Sequence, residues 1–135
     1  MSEASGTAKK LGVRAGSRVM VIGMPVKEAE PLLGELLDGV QVSGDADSPA
    51  DIVLLFADDL DAVREGAVRA HERVAGGGRL WIAYRKGATR KGVSRAAGEP
   101  LHRDSLQRVL DEKGLVGVSL IAIDDIWSAM RVRAQ

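Results

Sequence analysis

Residues 51–56 read Asp51-Ile52-Val53-Leu54-Leu55-Phe56, an unbroken apolar run after the first acid, with β-branched residues leading it. A strand with one wet face alternates apolar and polar side chains. A continuous run instead marks a strand covered on both faces, the condition of the centre of a parallel sheet. Such a strand needs helices above and below it. This stretch therefore predicts an α/β fold built on an open, mostly parallel twisted sheet with helices on both faces.

The flanking sequence agrees. Upstream, Arg18-Val19-Met20-Val21-Ile22 is a short apolar run between the turn signal Ala15-Gly16-Ser17 and Gly23, and reads as the first strand. Ala29, Leu32, Leu33, Leu36 and Leu37 then recur at helical spacing up to Asp38-Gly39, and Val40-Gln41-Val42 is a second strand. Downstream, Ala57-Asp58-Asp59 opens a helix with acids at its positive end. Leu60, Val63, Ala67, Ala70 and Val74 line one face of that helix, and Gly76-Gly77-Gly78 ends it. Leu80-Trp81-Ile82-Ala83-Tyr84 is the next strand. Asp104, Leu106, Val109 and Leu110 belong to a helix stopped by Gly114. Residues 116–123 and 126–132 form a C-terminal antiparallel hairpin about Asp124-Asp125. Strands alternating with helices give right-handed crossovers within one domain over residues 11–135. Residues 1–10 are small and polar and read as a flexible N-terminus.

Composition narrows the function. The chain has 135 residues, 19 basic and 19 acidic side chains and no cysteine, so disulfide frameworks and Cys-ligated zinc are excluded. His71 and His102 are the only histidines, and a metal site is not expected. Neither has a Ser or Cys at a nucleophile spacing, so hydrolase chemistry has no support. No stretch approaches the roughly 20 apolar residues that span a bilayer, and the N-terminus lacks the apolar run of a signal peptide, so a cytoplasmic protein without membrane contact is expected. Balanced charge argues against nucleic acid as partner. The charge is nonetheless segregated. Ten acids and no Lys or Arg lie between Glu28 and Asp61, whereas residues 9–18 and 85–95 carry only basic charges.

The order of these signals resembles the class I S-adenosylmethionine (SAM)-dependent methyltransferases, in a shortened form of that Rossmann-like fold. Four segments carry the likeness: residues 11–23, which resemble the lead-in and first strand up to the first glycine of the cofactor loop; Asp51 to Leu55, the strand that begins with an acid; Val74 to Ile82, the helix end, glycine turn and strand; and the terminal hairpin from Val116 to Arg133. The chain also resembles small bacterial proteins without an assigned activity that share a Leu-Trp-Ile-Ala-Tyr type strand and an Ile-Asp-Asp-Ile-Trp-Ser-Ala type hairpin. The resemblance implies a cofactor site at Gly23, Met24 and Pro25, with Asp45, Asp47 and Asp58 as neighbouring acids. Asp45 stands 22 residues beyond Gly23, near the spacing of an acid that takes ribose hydroxyls in such folds. Only one glycine of the loop remains, however, and Pro25 removes a backbone N–H. Between Val42 and Asp51 there is no room for the usual third helix and strand.

Ligands in open α/β sheets collect at the carboxyl ends of the strands. At that rim Tyr84, Arg85 and Lys86, with Arg90 and Lys91, form a candidate clamp for a phosphate or carboxylate. Trp81 is expected in the core, and Trp127 either there or facing a rim pocket. Three readings follow. The first, preferred because of Met24 and Pro25, is a non-catalytic module without a cofactor that binds a small molecule or a protein. The second is a small SAM-dependent methyltransferase completed by a partner. The third is a sensor of an anionic metabolite. A free sheet edge beside the hairpin makes a homodimer a further option.

Overall fold

In the computed structural model, which describes residues 6–33, 38–44, 48–85 and 101–135, the apolar run at residues 51–56 lies inside a six-stranded sheet. In chain order the elements are α1 (Gly6–Leu11), β1 (Arg18–Ile22), α2 (Val26–Leu33), β2 (Gln41–Ser43), β3 (Ala50–Phe56), α3 (Leu60–Glu72), β4 (Val74–Arg85), α4 (Arg103–Glu112), β5 (Leu115–Ala122) and β6 (Trp127–Ala134). Across the sheet they run β2-β1-β3-β4-β6-β5. The first four are mutually parallel, and β6 is antiparallel to both β4 and β5. This is the mostly parallel α/β sheet with a C-terminal antiparallel hairpin that the sequence predicts.

The two-residue period of the strands divides their side chains between two cores. On one face Met20, Val53, Leu55, Leu80, Ile82 and Met130 pack under α3 (Val63, Ala67, Ala70) and α4 (Leu106, Val109, Leu110). On the other, Val19, Val21, Ile52, Leu54, Phe56, Trp81 and Ala129 pack under α1 (Ala8, Leu11) and α2 (Ala29, Leu33). Val53 and Leu54, neighbours in sequence but on opposite faces, are both fully buried. Burying each such side chain contributes roughly 1.5–3 kcal/mol.

Residues 6–10 depart from the frayed terminus expected of them. They form most of α1, with Ala8 and Leu11 fully buried. The Trp81 indole N–H donates to the Leu11 carbonyl at 3.0 Å, and the Thr7 hydroxyl donates to the Ile123 carbonyl at 3.0 Å, so the helix is tied at one end to β4 and at the other to the turn between β5 and β6. Six residues are too few to show a helical period, which is why the pattern stays silent there.

The glycine triplet also differs from expectation. The helix before it ends at Glu72, and Gly76-Gly77-Gly78 belongs to the start of β4. The pairing of β3 with β4 slips between Ala50↔Val74 and Ile52↔Arg79, and the extra residues fill a bulge. A Cβ on Gly78 would stand 2.5 Å from the Asp51 carbonyl oxygen, so only glycine lets the backbones approach there. The helix α3 starts at Leu60 rather than Ala57, with the Asp59 carboxylate accepting from the Ala62 N–H at 2.8 Å as N-cap. For α2, the expected last turn with Leu36 and Leu37 falls outside the described residues. Other strand boundaries lie within one or two residues of the sequence reading.

His102 is an N-cap, as its place before Arg103-Asp104 suggests. Its Nδ1 accepts from the N–H groups of Asp104 and Ser105 at 3.2 and 3.3 Å, and the Ser105 Oγ accepts from the His102 N–H at 3.0 Å. Among the described residues no helix is long and apolar enough to cross a membrane.

Replacing Trp81 with Phe keeps most of the packing but leaves the buried Leu11 carbonyl without its donor. The expected loss is about 1–3 kcal/mol, read as a lower urea midpoint, with hydrogen exchange rising first in α1. Unchanged protection of α1 would contradict its docking through this bond.

Candidate functional site at the carboxyl rim

The strand order reverses beside β1, which has β2 on one side and β3 on the other. The chain leaves β1 and β3 for helices that pack on opposite faces, and such a switch point is where open α/β sheets place their ligand crevice. Gly23 stands at its mouth. With φ 87° it turns the chain out of β1, and a Cβ there would collide with the Phe56 carbonyl oxygen of β3. Only glycine meets both demands. Met24 is half-buried against the α1/α2 core. Pro25 is exposed and precedes α2, its carbonyl accepting from the N–H groups of Glu28 and Ala29 at 3.0 and 3.1 Å. That leaves the N–H groups of Val26 and Lys27, in the first turn of α2, without a helical acceptor at the crevice.

The neighbouring rim, over β3, β4 and β6, is filled by an interlocked group. The Asp58 carboxylate follows β3 and pairs with Arg85 Nε, at the end of β4, at 3.2 Å. The Arg85 guanidinium lies 4.9 Å from the centroid of the Trp127 ring, and that ring meets Phe56 edge-on at 5.1 Å between centroids. Trp127 is held by the hairpin turn, where Asp124 Oδ1 accepts from the N–H groups of Ile126 and Trp127 at 2.8 and 2.7 Å. Trp127 thus packs in the core and lines the rim at once. The arrangement depends on β6 lying between β4 and β5, which sets Trp127 opposite Arg85 in register.

Of the anion clamp expected around Tyr84, two members are described, and the structure sets them apart. Tyr84 and Arg85 are consecutive on a strand and so point to opposite faces. Tyr84 is only 6% exposed, in the core beneath α3 and α4, while Arg85 turns to Trp127 on the other face. Burial pushes the Tyr84 hydroxyl above its ordinary value of about 10, with the Arg103 guanidinium pulling it partly back. Lys86, Arg90 and Lys91 lie outside the described residues, as do Asp45 and Asp47 on the β2 side. Of the sequence-predicted site residues, the structure brings together Gly23, Met24 and Pro25 at the crevice, and Asp58 with Arg85 beside it. Phe56 was missed, because its apolar run reads as core throughout.

Solved structures share this architecture. An O-methyltransferase of neocarzinostatin biosynthesis, NcsB1, in complex with SAM and 2-hydroxy-5-methyl naphthoic acid, superposes with a TM-score of 0.65 at 18% identity, over 97% of this chain and 53% of its own. The pyocyanin biosynthetic protein PhzM matches at 0.64 and 15% identity, over 96% and 54%. A SAM-dependent methyltransferase from Thiobacillus denitrificans, bound to S-adenosyl-L-homocysteine, matches at 0.60 and 12% identity, over 95% and 89%. The fold is that of the class I methyltransferases.

This methyltransferase-like chain spans about half the length of NcsB1 and of PhzM. No family model matches it, and no curated protein is similar to it in sequence. The expectation of no cofactor is overturned here: matching structures of this fold carry SAM or its demethylated product. The physical reason lies in the turn. Pro25 removes an N–H just before the helix, but the donors of Val26 and Lys27 remain, so the proline costs the crevice less than the sequence suggests.

Two outcomes check this description. The Tyr84 contribution to stability is constant below about pH 10 and falls above it, because the unfolded chain releases the Tyr84 proton before the folded chain does. Tyr84→Phe removes that part of the decline in a thermal-unfolding series, and an identical slope in the variant would contradict the buried hydroxyl. Asp58→Asn shifts the tryptophan emission by loosening Arg85 from Trp127, while stability changes by no more than about 1 kcal/mol, since both partners of the pair are exposed.

Proposed function

We propose that this chain is a SAM-binding module that holds the cofactor at the β1/β3 crevice and does not transfer its methyl group unaided. The fold supports the first half of this reading, and the Gly23 turn carries it: a positive-φ glycine at the strand end, followed by two N–H groups that have no acceptor within the helix and by the Lys27 ammonium, suits the amino-acid end of that cofactor. The residues present therefore fit the group in this part. Val26 and Lys27 would hold its carboxylate, and Asp45 its ribose hydroxyls. When bound, SAM supplies an electrophilic methyl on a sulfonium.

The second half rests on the rim beside the crevice. Asp58, Arg85, Trp127 and Phe56 engage one another there, so the charged groups are paired and the aromatic faces are covered. Of the two histidines, His102 gives its Nδ1 to two backbone donors as the cap of α4, and His71 lies in the last turn of α3. A second reading, a small methyltransferase in its own right, is favoured by the match over 89% of the Thiobacillus enzyme's length.

Calorimetry with SAM tests the binding, and label transfer from methyl-labelled SAM separates the two readings. Lys27→Glu places an acid where the first turn of a helix tolerates it, so the fold persists while the cofactor's carboxylate is repelled. The expected result is saturable binding to the parent chain that falls about tenfold or more in Lys27→Glu and in Asp45→Ala, with no label leaving SAM. Absence of binding by the parent chain overturns the proposal; label appearing in an acceptor moves the function to the second reading.

A further inference from the structure

The basic segment between Lys9 and Arg18 has no part at the carboxyl rim. The fold carries its middle to the opposite, amino end of the sheet, where the loop before β1 meets the glycine bulge that opens β4. A cleft of about 190 Å³ lies between them, lined by Arg14, Ser17, Asp51, Gly76, Gly77 and Arg79. Arg79 is packed in place by Gly12, whose φ is 91° and on which a Cβ would stand 2.8 Å from Arg79 Nη1. Among the described residues, neither Arg14 nor Arg79 has an ion-pair partner. Ser17 is buried and its Oγ accepts from the Arg14 N–H at 2.9 Å, which leaves its hydroxyl proton to donate elsewhere. Asp51, the acid of the cleft, accepts from the Arg18 N–H at 2.9 Å. Leu80 pairs with Val132, so the next step along both strands sets Arg133 beside Arg79. Like charges on facing strand positions destabilise a sheet, and among the described residues Arg133, like Arg79, has no ion-pair partner.

We propose that this cleft binds a small phosphorylated ligand, with the phosphate between the Arg14 and Arg79 guanidinium groups. Guanidinium forks match phosphate oxygens in pairs, and the Ser17 hydroxyl adds a third donor. Gly76 and Gly77 leave the far wall bare, since a Cβ at either would meet nothing within 4 Å and the ligand can approach the main chain closely. Two arginines against one carboxylate keep the cleft positive, and the free oxygen of Asp51 is placed to accept from a hydroxyl of the same ligand. The volume admits a phosphate on a short carbon skeleton. The site is separate from the SAM crevice and does not depend on it.

Pyrophosphate and inorganic phosphate, titrated into the full chain and followed by calorimetry and amide NMR, test the site. Pyrophosphate is expected to bind saturably, shifting the amides of Ser17 and of residues 76–78. Arg14→Gln and Arg79→Gln each weaken binding about tenfold or more. Gly76→Glu sets an acid over the cleft from a position with open space around it, and abolishes binding without unfolding the chain, which covers the case in which Arg79→Gln fails to fold. Arg64→Gln, on α3, changes nothing. No binding by the parent chain, binding that survives Gly76→Glu and Arg14→Gln, or amide shifts confined to other elements would each overturn the assignment. Pyrophosphate binding in a chain that ignores SAM leaves it standing.

Discussion

Covering β3 from two sides is the constraint on which the rest of the structure depends. Val53 and Leu55 point one way, Ile52, Leu54 and Phe56 the other, and all five are buried. Leaving either set wet would forfeit several kcal/mol of apolar burial. The chain meets the demand with α3 and α4 on one face and α1 and α2 on the other, each delivering small or branched apolar residues to its side of the sheet. Register follows from the same demand, because slipping a strand by one residue would exchange its two faces.

Placing helices on both faces also creates the crevice. Where the connection from β1 goes to one face and that from β3 to the other, the two helices leave the sheet in opposite directions and open sheets of this kind take their ligands above that point. Gly23 sits at that parting because two conditions meet there: the chain must turn with a positive φ, and it must pass the Phe56 carbonyl without a side chain. The glycine is therefore a requirement of the scaffold before it is a feature of any cofactor site. That is why the glycine is needed even where Met24 and Pro25 follow it in place of further glycines.

The two ends of the sheet have different electrostatics. At the carboxyl rim Asp58 and Arg85 neutralise each other and Trp127 takes up the remaining face of the guanidinium. At the amino end Arg14 and Arg79 share a cleft with one acid whose carboxylate already accepts a backbone N–H. The total charge of zero conceals this division, since the acidic segment from Glu28 to Asp61 and the basic ones are spread over different elements.

Local pattern was enough for the order of strands and helices, the central place of residues 51–56, the closing hairpin at Asp124-Asp125 and the cap at His102, because periodicity, turn chemistry and capping act within a few residues. It was also enough, properly applied, to separate Tyr84 from Arg85, whose opposed directions follow from the pleat. The helix at residues 6–11 escaped it: six residues hold too few turns for a period, and that helix is secured by bonds to Trp81 and Ile123, far along the chain. Only the tertiary structure decided that β6 inserts beside β4 and so sets Trp127 against Arg85, and that Arg14 and Arg79 line one cleft. Those meetings depend on which strands lie side by side, a choice made by the burial of whole faces rather than by any short stretch of residues.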